Sequence, residues 1–186
     1  MASSKPGYDV IVVGSGSVGN PAACFLAQEG LKVLVLEAGR TDWKWDVFIH
    51  MPAALTYPIG SRFYDWKYES EPEPYMGGRR VYHARGKVLG GSSSINGMVY
   101  VRGHADDFDA WQAAGATGWG FGDVLPYFKR MEAWHGGGAE GDPAWRGHNG
   151  PLHVTRGPRD NPLHAAFVQA GAEAGYPVTQ DYNGAQ

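Results

Sequence analysis

The stretch from Tyr8 to Glu37, YDVIVVGSGSVGNPAACFLAQEGLKVLVLE, constrains the fold of this chain more than any other. Val10 to Val13 is a short β-branched apolar run, the pattern of a strand buried on both faces. Gly14, Gly16 and Gly19 then set the spacing G-x-G-x-x-G. Behind them, Ala22, Ala23, Phe25, Leu26 and Ala27 predict a helix that Gly30 ends. Val33 to Leu36 predicts a second buried strand, with Glu37 at its carboxyl end.

Each glycine in that pattern has a mechanical job. Gly14 allows the tight turn out of the strand, Gly16 lets the backbone approach a pyrophosphate, and Gly19 lets the helix pack close to the sheet. The helix N-terminus then offers free N–H groups and the positive end of its dipole to the phosphates. Glu37 lies 18 residues after Gly19, where an acid accepts hydrogen bonds from an adenosine ribose. The stretch therefore reads as a dinucleotide site; the competing reading is a βαβ unit whose glycines only pack. An acid at position 37 argues against a 2′-phosphate, and so against NADP.

The 186 residues suffice for one domain, or for one and part of another. Hydrophobic residues make up 43% and aromatics 13%, enough for a core. A net charge of −3 and a pI near 6.1 give no electrostatic case for nucleic acid. The lone cysteine, Cys24, excludes a disulfide or a C-x-x-C motif, and its place in the first helix predicts a small buried hydrophobe. The seven His residues show no ligand spacing, so no metal site is expected. Met1 to Tyr8 lacks the apolar core of a signal peptide and no run reaches membrane-spanning length, so the simplest address is the cytoplasm.

Residues Gly39 to Tyr82 read as a long irregular excursion, broken by Pro52, Pro58, Pro72 and Pro74 and dense in aromatics. It is either a lid or binding excursion, or a surface loop clamped by its own rings. Trp66 to Glu69 and Arg80 to His83 each predict a short strand. The next informative stretch is RGKVLGGSSSINGMVYVRGHADDFD, Arg85 to Asp109. Gly90 and Gly91 followed by Ser92, Ser93 and Ser94 supply flexible backbone and small donors, suited to phosphates or a polar ring edge. Ile95 to Val101 is read as opening a second helix. Asp106 to Trp134 reads as helical around a glycine-rich break at Gly115 to Gly122, and His135 to Gly150 as an exposed loop. Pro151 to Thr155 predicts a strand, and Asn161-Pro162 the start of a helix ending at Gly175.

Taken together, DVIVVGSGSVGN, LVLEAG, WKYESEPEP and RGKVLGGSSSINGMVYVRG with Asp109 resemble the glucose–methanol–choline (GMC) family of FAD-dependent oxidoreductases, close to its choline dehydrogenase-like branch. The later pieces GWGFGDVLPYFKRME and NPLHAAFVQAGAEAGYP carry the same resemblance, which covers nearly the whole chain. It implies an α/β, Rossmann-like FAD-binding domain over residues 1–150, with 39–82 as a lid-like excursion. Residues 151–186 would begin an α+β substrate-binding domain. FAD rather than NAD is the implied dinucleotide. Besides Gly14, Gly16 and Gly19, the resemblance implies Ser17 and Val18 at the pyrophosphate turn and Glu37 and Ala38 at the adenosine. Val88, Gly91, Ser92, Asn96, Gly97, Met98 and Val99 would line the isoalloxazine and its ribityl chain, with Trp66 approaching the cofactor. Some members attach FAD through a His in this signature; here that position is Asn96, which implies non-covalent flavin.

Members of the family are much longer, and their catalytic His lies near the far C-terminus. There it assists removal of the alcohol proton while hydride passes from the α-carbon to flavin N5. None of His50, His83, His104, His135, His148, His153 or His164 sits in that motif, so no catalytic role is assigned to any of them. The expectation is a chain that binds FAD, with the base supplied by further sequence, either on a second polypeptide or where this numbering stops short, and a small alcohol as substrate. The sheet would then show unpaired edges and an exposed apolar face. The alternatives are a non-catalytic nucleotide-binding or assembly module, and an FAD-dependent lyase of the same family.

Overall fold

The first strand, β1 (Val10–Val13), leads through a helix, α1 (Gly19–Gln28), to β2 (Val33–Leu36), and the two strands pair in parallel from Val10↔Val33 to Val13↔Leu36. Parallel strands need such a crossover, which α1 provides. The structure is a computed structural model and describes residues 7–136, 141–158 and 160–185. It divides into two compact units, one up to Val99 and one from Tyr100 onward.

Glycine geometry sets the βαβ unit as the spacing predicts. Gly14 adopts φ +93° and donates its N–H to the Leu36 carbonyl at 2.7 Å, closing the turn onto β2. A Cβ on Gly19 would overlap the Gly14 carbonyl, so only glycine lets α1 sit directly on that turn. At the other end the N–H groups of Gly30 and Leu31 donate to Ala27 and Leu26, a left-handed cap that stops the helix.

Burial of the strands differs from the expectation. Ile11 and Val13 are 58% and 83% exposed, and Leu36 is exposed too. Among the described residues this sheet has two strands, and α1 covers one face of it. The expected bare edge and exposed apolar face are therefore present, whereas burial on both faces is not. Cys24 is also corrected: it is exposed, and Ala23 takes the buried position of α1.

The excursion over residues 39–82 is organised by carboxylates more than by its rings. It contains a short helix, α2 (Val47–His50), two 3-10 turns, and β3 (Tyr68–Glu69), which pairs antiparallel with β4 (Tyr82–His83). Its core joins Tyr64, Val88 and Ile95, with Ile49 packed against them. Buried Asp46 accepts the Tyr64 hydroxyl at 2.8 Å and pairs with Arg40 at 3.5 Å. Asp65, also buried, accepts the N–H groups of Gly60, Lys67 and Arg85 at 2.8–3.0 Å and the Tyr82 hydroxyl. Burial alone would raise the Asp65 pKa, but those four donors together hold it at about 2.

The predicted second helix over Ile95–Val101 does not form. Gly91–Ser94 makes one 3-10 turn, and the chain then runs irregularly to His104. The cause is local: Asn96 Oδ1 accepts the Met98 N–H at 2.8 Å, and Met98 sits at φ +56°. An Asn side chain that captures backbone two residues ahead competes directly with helix.

In the second unit the predicted helical stretch resolves into α3 (Ala105–Ala113) and α4 (Phe121–Met131), separated at the glycine-rich break. Phe108 lies 5.3–6.2 Å, ring to ring, from Trp111, Phe121 and Phe128, which packs the two helices together. The stretch does not stay helical to Trp134. Instead Glu132–Trp134 forms β5, paired in parallel with β6 (Leu152–Val154). The last helix, α5 (Pro162–Glu173), starts where predicted, with Asn161 Oδ1 capping the Leu163 N–H at 2.9 Å.

A buried charge network holds this unit. Glu132, fully buried, accepts from Arg102 Nη2 at 2.5 Å, Arg146 Nη1 at 2.6 Å and the Gly147 N–H at 3.1 Å. Arg146 also grips Asp181 with two bonds at 2.8 and 2.5 Å, and Arg102 donates to Trp145 and Asn183. Burial works against the Asp181 charge, yet Arg146 lowers its pKa below the ordinary value. The expected exposed loop His135 to Gly150 is thus partly wrong: Arg146 and Gly147 are interior, while 137–140 lie outside the described residues.

Candidate functional site

The site is built where two glycine-rich turns meet. The turn after β1 and the segment from Gly86 to Gly91 touch backbone to backbone: a Cβ on Gly91 would come within 2.9 Å of the Gly16 Cα. A Cβ on Gly39 would overlap the Lys87–Val88 peptide, and one on Gly86 would overlap the Gly91 carbonyl. Ser15 fixes the junction. Its carbonyl accepts the Gly90 N–H at 3.0 Å and the Asn20 side-chain amide at 2.6 Å.

Glu37 ties the other side. One carboxylate oxygen, Oε2, accepts the Ser15 N–H at 2.8 Å and the Ser15 hydroxyl at 2.7 Å; Oε1 accepts the Gly39 N–H at 2.7 Å. Partial burial raises its pKa, but the Ser15, Gly39 and Ala38 donors outweigh that and leave it lowered, so the group stays ionised. Glu37 is only half-buried, so its carboxylate stays open to a further donor such as a ribose hydroxyl. The expected ligand acid is therefore also a structural tie.

Fit for a pyrophosphate can be judged from the donors. Among the described residues no group accepts from the main-chain N–H groups of Gly16, Ser17, Val18 or Gly19. Ser17 and Val18 are exposed at the start of the ten-residue α1. Free N–H groups, a helix N-terminus and a floor without Cβ atoms match what a diphosphate requires.

The remaining predicted residues separate into two sets. Asn96, Gly97, Met98 and Val99 form an exposed run, with the Asn96 amide committed to the Met98 N–H. Ser92 Oγ accepts the Gly86 N–H at 3.1 Å, so it shapes the turn around buried Gly91. Trp66 is part-exposed, stacked on Tyr68 at 6.0 Å, with Lys87 Nζ 4.5 Å from its ring. Val88 differs: its side chain is fully buried in the core, which leaves only its main chain for a ligand. A cavity of about 250 Å³ lies beside this run, between Ser93, Asn96 and Met98 on one side and Phe48, Ile49 and His50 on the other. Sequence reasoning passed over Ser15, Gly39 and Gly86. Ser15 occupies a free position of the glycine pattern, and nothing local shows that it meets residues 37 and 90.

This arrangement defines a dinucleotide-binding domain of the βαβ class. The GMC oxidoreductase profile matches residues 8–186, and the chain belongs to that family, as part of its FAD-binding N-terminal domain. It is 56% identical over 179 residues to an oxygen-dependent choline dehydrogenase of Sinorhizobium fredii, covering 96% of this chain and 32% of that protein. Among solved structures it is similar to pyridoxine 4-oxidase from Mesorbium loti, with TM-score 0.79 and 36% identity over 92% of this chain and 33% of that one. An FAD-dependent oxidoreductase from Chaetomium thermophilum gives TM-score 0.82 at 32% identity, over 96% and 31%. The chain spans about a third of the length of the curated relatives it matches. Among the described residues no helix is long and apolar enough to cross a membrane.

Proposed function

We propose that this chain holds FAD non-covalently for an enzyme that oxidises a small alcohol. The observation that carries the reading is the Ser15–Glu37–Gly90 junction, which leaves the N–H groups of Gly16 to Gly19 free above a floor of glycines. When bound, FAD supplies the hydride acceptor, its N5. The chain's own residues bind and orient. Gly16, Ser17, Val18 and Gly19 would receive the pyrophosphate, Glu37 and Ala38 the adenosine, and Gly91, Ser92 and Asn96 to Val99 the ring end, with Trp66 and the Val88 main chain beside them. Asn96 offers an amide, which is no nucleophile, so it cannot take the place of an attaching His. Residues 1–150 are the FAD-binding part in this reading, with 39–82 as its cover, and 151–186 begin the substrate-binding part.

Proton removal from the alcohol needs a base within hydrogen-bond reach. That base is assigned to the two thirds of the relatives' length beyond the match, on the same polypeptide or a second one. Choline is the first substrate to test, since relatives named oxygen-dependent choline dehydrogenase are 55–58% identical. The test is a visible spectrum of the full polypeptide, before and after anaerobic addition of choline or other primary alcohols. Flavin released intact by denaturation and bleached by an alcohol supports the reading. Preferential binding of NAD, or flavin that no alcohol reduces, would overturn it, the first in favour of a nucleotide-binding module and the second of a lyase.

A further inference from the structure

We propose that His135 and His153 form a two-imidazole site for a divalent d-block ion of the zinc, nickel and copper class. In sequence the two are 18 residues apart and show no ligand spacing. The strand pairing brings them together. Ala133 of β5 is in register with His153 of β6, and the His135 N–H continues the ladder to the Val154 carbonyl at 2.8 Å. Side chains alternate along a strand, so residues 133 and 135 share the face that carries His153.

The ring geometry suits a shared ligand. His135 Nε2 lies 2.7 Å from His153 Nδ1, the ring centroids are 4.9 Å apart, and the planes differ by 17°. With nitrogens that close and centroids that far apart, the rings meet edge to edge through their nitrogens instead of face to face. One contact nitrogen carries the hydrogen and the other presents its lone pair. Moving that hydrogen to the far nitrogen of the same ring turns both contact nitrogens into lone-pair donors while both rings stay neutral. Nitrogens bound at about 2.0–2.1 Å to one ion stand about 2.9 Å apart at right angles and about 3.3 Å apart at tetrahedral ones. The contact therefore opens by roughly 0.2–0.6 Å, and each ring, now aligned nitrogen to nitrogen, turns by roughly 35–45° so that both lone pairs converge on the ion, a motion open to rings on two exposed residues.

Ligand chemistry selects the ion. Imidazole favours zinc, copper and nickel over magnesium or calcium, with copper(II) the tightest of the series. Among the described residues no group of three His, Cys, Asp or Glu side chains converges to hold a metal, so water completes the shell and the ion exchanges readily. Bound, it would clamp the end of β5 to β6 and stabilise the native fold by linkage.

The test uses the full polypeptide without a histidine tag, titrated with nickel chloride by calorimetry and followed by thermal unfolding. One nickel ion should bind and raise Tm. His135→Ala and His153→Ala should each weaken binding at least about tenfold, no less than loss of a supporting outer-shell contact costs, and abolish the shift. His148→Ala should bind as the parent does, because its ring is engaged at 3.2 Å with the Gly141 carbonyl. His153→Gln serves if the alanine variant fails to fold. The proposal is overturned if the parent binds no nickel, if either single variant binds it unchanged, or if magnesium gives an equal Tm shift.

Discussion

The two units of this chain solve the same problem with opposite materials. In the first, two turns approach so closely that side chains are excluded: Gly16 faces Gly91, Gly39 faces the Lys87–Val88 peptide, and Gly86 faces Gly91. One carboxylate, Glu37, ties the turns and stays partly open. In the second, side chains are the joint. Glu132 is buried between Arg102 and Arg146, and Arg146 carries the bond on to Asp181. The glycine junction leaves main-chain donors free for a ligand, whereas every guanidinium nitrogen of Arg102 and Arg146 has a partner within the network or its surroundings. Removing Cβ atoms makes a receptor; closing an ion network makes a frame.

That contrast can be broken at its strongest point first. Glu132→Ala leaves Arg102 and Arg146 buried without their shared partner, and should cost about 3–5 kcal/mol. Denaturant unfolding of the full polypeptide reads this, and a loss below about 1 kcal/mol would end the idea that the network is the frame. Gly39→Ala comes next. Its Cβ overlaps backbone that cannot swing aside, so about 1–3 kcal/mol is expected, together with loss of bound flavin measured by absorbance. A yellow Gly39→Ala protein of parental stability would show that the turns do not need their close approach.

Acid offers a third comparison. Asp65 has its pKa lowered from 3.8 to about 2, so its bonds contribute fully above about pH 4 and are lost as pH falls toward 2. The shift corresponds to about 2 kcal/mol. Glu37 is lowered as well, so its contribution is present above its unfolded pKa of 4.5 and fades below it. Asp65→Asn should therefore be less stable than the parent at neutral pH and approach it in acid. Parallel curves across that window would remove the carboxylate from the account of the excursion. The smallest effect belongs to Cys24→Ser. An exposed side chain on α1 should change stability by less than about 0.5 kcal/mol, whereas a clear loss would restore the buried role its sequence position suggested.

Much of the first unit was legible in advance because its information is local. The spacing of Gly14, Gly16 and Gly19 specifies a turn, an approach and a packing contact within six residues, and Gly30 marks the helix end. The α5 start at Asn161-Pro162 and the pair of short strands in the excursion are read by the same short-range rules. Where those rules failed, a longer-range or competing interaction won. Asn96 captured the Met98 N–H and cancelled a helix. Pairing with β6 drew Glu132–Trp134 out of α4.

By itself, then, the sequence determined the βαβ unit, because backbone conformation and glycine spacing are properties of adjacent residues, and its motifs carried the resemblance that implied the family and FAD. Only the tertiary structure decided that Ser15 joins Glu37 to Gly90, that Asp65 gathers four donors, that Glu132 is shared by two arginines, and that His135 meets His153. Each of those contacts links residues with no periodic relation along the chain. Such partners become neighbours only once the strands and turns have set their register.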